Sequence, residues 1–172
     1  MFESPLGSCH PCGRRSMYRT DMDMPQPDPS RRLRSLLKAA GITSFRLGDN
    51  IRGAIYSGRT REWLVGTRMN EHWFNAYARV CNLPEEPSLR ARLMDTVMDM
   101  NRQMQLTKFI VSSGLVLELD YRAEHVDAEV LGNLIRLLHA NAEMHYPKIF
   151  RVVSGDETLA QLEAQLITAK AA

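Results

Sequence analysis

Cysteine is scarce in this 172-residue chain: Cys9, Cys12 and Cys81 are the whole complement. Three thiols at that spacing cannot staple a disulfide scaffold, so a reducing cytoplasm is the expected setting. Long hydrophobic runs are lacking as well. Nothing approaches the roughly 18 consecutive apolar residues that a bilayer requires, and no membrane association is expected. The opening Met1-Phe2-Glu3-Ser4-Pro5 lacks the charged lead and apolar run of a secretory leader. Catalytic signatures are missing too: there is no GxSxG elbow, Walker-type glycine loop, HExxH or dinucleotide fingerprint. Neither sign of charge dominates, with Lys+Arg 22 against Asp+Glu 20. What remains, 44% apolar and 24% charged residues, is ordinary globular composition with enough apolar side chains for one good core.

Residues 1–29 hold five of the eight prolines (Pro5, Pro11, Pro25, Pro27, Pro29) and show no apolar period. Such a stretch cannot bury enough surface to offset its ordering entropy, which predicts a disordered tail, with Met17, Met22 and Met24 as alternative starts. Order is expected to begin at Asp28-Pro29-Ser30, a helix cap with proline in the first turn. Leu33, Leu36, Leu37 and Ala40 form the stripe of a first helix that Gly41 stops. Three extended runs follow, at 43–47, 51–56 and 60–69, separated by Gly48-Asp49-Asn50 and Ser57-Gly58, and read as an antiparallel meander. The spacing of Trp73, Phe74, Tyr77, Ala78 and Cys81 predicts a helix over 70–81. A further helix is expected over 89–105 on the stripe Leu89, Leu93, Val97, Met100 and Met104. Residues 107–111 and 115–122 make a hairpin, its second strand alternating cleanly through Leu115, Leu117, Leu119 and Tyr121. Asp127 caps a long helix that Pro147 ends near 145; a short 149–153 piece and a last helix over 157–169 complete the chain. The fold class expected is α+β, an antiparallel sheet of about five strands with helices packed on one face. The domain is placed at 30–153, followed by a C-terminal helical segment at 154–172.

From Met98-Asp99-Met100-Asn101 through Lys108-Phe109 to the Gly114-Leu115-Val116-Leu117-Glu118-Leu119-Asp120-Tyr121 strand and the long helix after it, the chain resembles the YbjN family. That family is similar in fold to class I type III secretion chaperones. The resemblance spans roughly residues 30–150, its distinctive part being 98–138, and its motifs are patterns of residue class. It implies a bacterial, cytoplasmic, chaperone-like sandwich, often dimeric, that binds other proteins, carries no catalytic residues and needs no cofactor.

Each group that could carry chemistry has a plainer reading. Cys9-His10-Pro11-Cys12 is a CxxC, but no strand precedes it to present the pair at a helix N-terminus, and no second pair completes a zinc set. His139, Glu143 and His145 have ligand-like helical spacing without a further ligand cluster, so no metal site is expected. Met94, Met98, Met100 and Met104 concentrate adaptable thioethers in one helix. Charge is uneven: residues 31–68 hold nine Lys/Arg against Asp49 and Glu62, whereas 69–172 are net acidic.

These features predict a non-enzymatic adaptor that forms a homodimer and holds an unidentified protein partner. Leu131, Leu134, Ile135, Leu138, Met94 and Met98 are the expected interface, because the apolar arc of the long helix looks wider than one sheet can cover. The alternative is a nucleic-acid accessory protein that uses the 31–68 region, with Arg52, Arg59, Arg61 and Arg68 as contacts; the same cations would equally meet an acidic partner.

Overall fold

The computed structural model describes residues 28–155. Residues 1–27 of the expected tail, with the Cys9/Cys12 pair, and the helix expected at 157–169 lie outside them, whereas Asp28 and Pro29 already belong to the first helix and its cap. Asp28 caps helix α1 (Pro29–Ala39) by accepting the Ser30 N–H at 3.1 Å, and Pro29 occupies the first turn. Leu33 and Leu37 face inward, and Gly41, at φ 71°, turns the chain away. Strands β1 (Phe45–Gly48), β2 (Ile51–Ser57), β3 (Glu62–Met69) and β4 (Trp73–Cys81) then run as a four-stranded meander. Helix α2 (Pro87–Gln103) crosses to β5 (Thr107–Val111), which turns back into β6 (Leu115–Arg122). A 3-10 turn (Ala123–His125) leads to α3 (Ala128–Ser154), capped by the Asp127 side chain on the Val130 N–H at 2.8 Å. All pairings are antiparallel, in the order β1-β2-β3-β4-β6-β5.

The class is α+β with the helices on one face, as the residue pattern indicated, but among the described residues the sheet has six strands. The extra one is β4, where a helix was expected. Its even positions Phe74, Ala76, Ala78 and Val80 are buried, whereas Trp73 and Arg79 are exposed. Aromatic residues on both faces of this strand disguise a period of two as a helical arc. The local cause lies at Asn70, whose side chain accepts the His72 and Trp73 N–H groups at 2.9 and 2.7 Å and closes a tight β3–β4 turn. Pro147 likewise does not end α3. The helix continues to Ser154 and stops at Gly155 (φ 68°), so 149–153 is helical rather than extended. A proline inside a helix forfeits one hydrogen bond, but here Ala142 and Ile149, both buried, anchor the helix on either side of it.

The core lies between the inner face of the sheet and the three helices, around Trp63, Phe74, Leu115, Leu117 and Leu119. Leu131, Leu134, Ile135 and Leu138 belong to this core, each no more than 6% exposed. The wide apolar arc of α3 is therefore used within the chain, because β4 adds a strand for it to cover.

Candidate partner-binding surface

Among the described residues every helix packs on the inner face and nothing covers the outer face of the sheet, which divides into two unlike halves. Toward β5 and β6 it is polar and internally satisfied. Buried Asn75 donates to Glu118 Oε1 and, at 2.8 Å, to Asp120 Oδ1, and accepts Arg68 Nε at 3.1 Å. Lys108 closes the network on Asp120 at 3.7 Å, and the Arg122 guanidinium sits over the Trp73 ring at 5.3 Å.

Toward β1 the same face is apolar. Ile55 and Leu64 are direct cross-strand partners, 60% and 47% exposed. Beside them Gly53 pairs with Gly66, and this glycine pair makes a furrow. A Cβ on Gly53 would strike Leu47 and Phe45, and one on Gly66 would strike the Tyr77 ring. The furrow thus lets Phe45, Leu47 and Tyr77 lie flat across the sheet, with Phe45 and Leu47 still exposed.

The two edges of the sheet differ as well. At β5 the Asn101 side chain, projecting from α2, accepts the Phe109 N–H at 2.7 Å and donates to the Phe109 carbonyl at 2.9 Å. One amide occupies both edge-facing backbone groups of that residue, which blunts the edge against pairing. β1 has no such clamp among the described residues.

Between α1 and β1 runs a basic trough. Its floor carries Arg46 and Arg52, register partners on the inner face, and its wall carries Arg31, Arg34 and Lys38. Arg52 donates to the Ser44 carbonyl at 2.8 Å and to its hydroxyl, and Arg46 pairs with Asp49 at 2.5 Å. The arginines picked out from the sequence do not converge on one patch. Arg52 and Arg68 lie at one end of the β2–β3 ladder on opposite faces, whereas Arg59 and Arg61 lie at its far end. Arg61 stacks over Trp63 and Tyr146 at 5.0 and 5.6 Å and donates to the Val80 carbonyl, and Arg68 serves the Asn75 network.

The titratable groups of α3 are likewise taken up structurally. Glu143 accepts the Arg59 and Thr60 N–H groups at 2.7 and 3.0 Å, the Thr60 hydroxyl and the Trp63 indole N–H, which latches the β2–β3 hairpin onto the helix. Burial alone would raise its pKa, but these donors outweigh that and hold the carboxyl at about 2. His139 faces Tyr56 (ring centroids 5.6 Å apart) and His145 meets Phe109 edge-on at 5.9 Å. Burial lowers the pKa of His145, helped by Lys148, and raises that of Tyr56. It also raises that of the Cys81 thiol, against the pull of Arg61 and Arg79, which disfavours a reactive thiolate. Among the described residues no three His, Cys, Asp or Glu side chains gather into a metal site, and no helix is long and apolar enough to cross a membrane.

Of the expected interface only α2 supplies accessible side chains: Met98 is 56% exposed and Met94 half-buried, whereas the four α3 residues lie in the core. The Asn101 clamp, the Glu143 latch and the glycine furrow were not anticipated. Each depends on contacts between distant residues that no local pattern marks.

No protein-family model matches the chain, and no curated protein does. Solved structures share its fold. ExsC in its complex with ExsE aligns at a TM-score of 0.51 and 16% identity, covering 70% of this chain and 95% of the match. YbjN from E. coli aligns at 0.48 and 14%, covering 75% and 92%. The Yersinia pestis type III secretion chaperone SycH, solved with a fragment of YscM2, aligns at 0.41 and 15%, covering 66% and 95%. At such identities what is shared is the fold.

Proposed function

We propose that this chain is a non-enzymatic, chaperone-like adaptor of the cytoplasm that holds an extended segment of another protein and works as a homodimer. The observation that carries the reading is the bare apolar half of the outer face, where Ile55, Leu64, Phe45 and Leu47 stand exposed as a group beside an unclamped edge strand. A contiguous exposed apolar patch on a small folded chain marks a binding surface, and an open edge offers backbone hydrogen bonds to an added strand. ExsC and SycH were each solved with a bound protein, which supports the same reading without identifying the partner here. The titratable groups support the non-enzymatic part: Glu143 is saturated by donors, and the Cys81 thiol is pushed away from ionisation.

Self-association is assigned to the α2–β5 flank. Met94 and Met98 share one face of α2 with Asn101, and Leu106 and Val111 beside them are about half exposed. Light scattering at micromolar concentration is expected to give a dimer that Met98→Glu converts to monomer; a wild-type monomer removes this part of the proposal. For the partner surface, the test is selection of displayed peptides on the immobilised full chain, run beside the Ile55→Asp/Leu64→Asp double variant. Enrichment on wild type that the variant loses is expected. Equal enrichment on both, or none on wild type, overturns the assignment.

A further inference from the structure

We infer that the trough between α1 and β1 selects an acidic partner segment, one whose acidic and apolar residues alternate. This deepens the proposed function and rests on it. Arg31, Arg34 and Lys38 follow at i, i+3 and i+7 on α1, a stripe that spans about 10 Å along the helix axis. Facing them across the trough are Arg46 and Arg52, already oriented by Asp49 and Ser44. Two hollows of about 600 and 430 Å³, which share Arg34 and Arg52, make the trough continuous along α1. Among the described residues Asp49 is the single acidic one lining it; Arg46 pairs with that carboxylate, and Arg31 with Asp28 at the N-terminus of α1, at 3.9 Å. The Arg34 and Lys38 side chains make no ion pair or hydrogen bond among the described residues, so their charge is directed at whatever lies alongside.

The alternation follows from β1 itself. Arg46 shares the inner face with its partner Arg52, whereas Phe45 pairs with Gly53 and lies with Leu47 on the outer face. A strand added to this edge presents successive side chains to opposite faces. One set falls beside the five cations and the other beside Phe45, Leu47 and Ile55. β1 is four residues long, so the segment read is about 13 Å. The setting favours polypeptide over nucleic acid: among the described residues the trough flanks unclamped strand backbone, and no aromatic residue lines it for bases to stack on.

The test is fluorescence anisotropy on the full chain with four labelled ten-residue probes: alternating Glu/Val, alternating Ser/Val, alternating Lys/Val, and a blocked peptide of five Glu then five Val. A single-stranded oligonucleotide serves as a fifth. Alternating Glu/Val is expected to bind most tightly, and to weaken about tenfold in Arg34→Glu/Lys38→Glu and on raising salt. Both replaced residues are exposed, so the variant is expected to fold, and its melting curve verifies this. If Ser/Val or Lys/Val binds as well as Glu/Val, charge selection is wrong although the adaptor reading survives. Equal binding of the blocked peptide refutes alternation, and tighter binding of the oligonucleotide refutes the partner class. If no peptide binds, the adaptor reading falls as well.

Discussion

Replacing Glu143 by Gln removes a charge that four donors share, two of them on the β2–β3 hairpin backbone. Water can replace the carboxylate at the Arg59 and Thr60 N–H groups, which are exposed. It replaces it less well at the indole of Trp63, a side chain with no exposed surface. The loss is therefore set by one sheltered N–H and by the charge assistance of the others, about 1.5–3 kcal/mol. For a chain of this size that lowers the melting temperature by roughly 5–10 °C at neutral pH. The pH dependence gives a sharper test. The folded-state pKa of about 2 lies below the ordinary 4.5, so the stabilisation is fully present above pH 4.5 and is lost as pH falls toward 2. Circular dichroism melts of wild type and Glu143→Gln from pH 7 down to 2 should therefore converge across that window. A gap that stays constant, or no gap at pH 7, would refute the latch.

Gly58→Ala should weaken the same latch, because its new Cβ would overlap the Glu143 carboxylate and approach the Arg61 carbonyl. In a double-mutant cycle with Glu143→Gln the two losses should fall short of additive by at least about 0.5 kcal/mol, and strict additivity argues against a shared cause. Asn101→Ala strips both hydrogen bonds from the β5 edge and should cost about 1–2 kcal/mol in urea unfolding. It should also raise concentration-dependent association by light scattering; unchanged association means that the clamp does not guard the edge. Pro147→Ala restores an N–H inside α3 and is expected to stabilise the chain by about 1–3 kcal/mol in the same assay, whereas a loss would mean that the proline's bend seats Ile149. Ile55→Asp should leave the unfolding free energy from urea titration within about 0.5 kcal/mol of wild type, since its side chain is mostly in water; a larger drop would give the residue a structural part.

Where one periodicity stood alone, the sequence was easy to read. Leu117, Leu119 and Tyr121 mark β6 because Glu118 and Asp120 between them are polar, and Leu33 and Leu37 mark α1. β4 failed because its outward face carries Trp73 and Tyr77, residues needed on the bare side of the sheet, which erased the contrast that separates a strand from a helix. That miss propagated. With one strand too few, the apolar arc from Leu131 to Leu138 exceeds what the sheet can cover; with β4 in the sheet, those side chains are core. Pro147 misled for a related reason: local propensity argues for a stop, but tertiary anchoring by Ala142 and Ile149 overrides it. The cation surplus of 31–68 was legible as a number. Its division into a trough beside β1, a stack on Trp63 and a network at Asn75 depends on strand register, which composition does not encode.

An exposed strand edge is a liability, and this sheet treats its two edges oppositely. β5 is closed by a single amide that satisfies both backbone groups of Phe109. β1 receives no clamp from the described residues, yet it is short and bordered by five cations, and like charges on approaching copies repel. A second copy of this chain arriving edge to edge would bring the same positive trough against its own, so β1-to-β1 pairing is opposed electrostatically. A segment carrying carboxylates meets the reverse sign and is drawn in. The same charges thus discourage self-aggregation at the open edge and select what joins it, which explains how a chain can leave a strand and an apolar face uncovered without pairing with itself there.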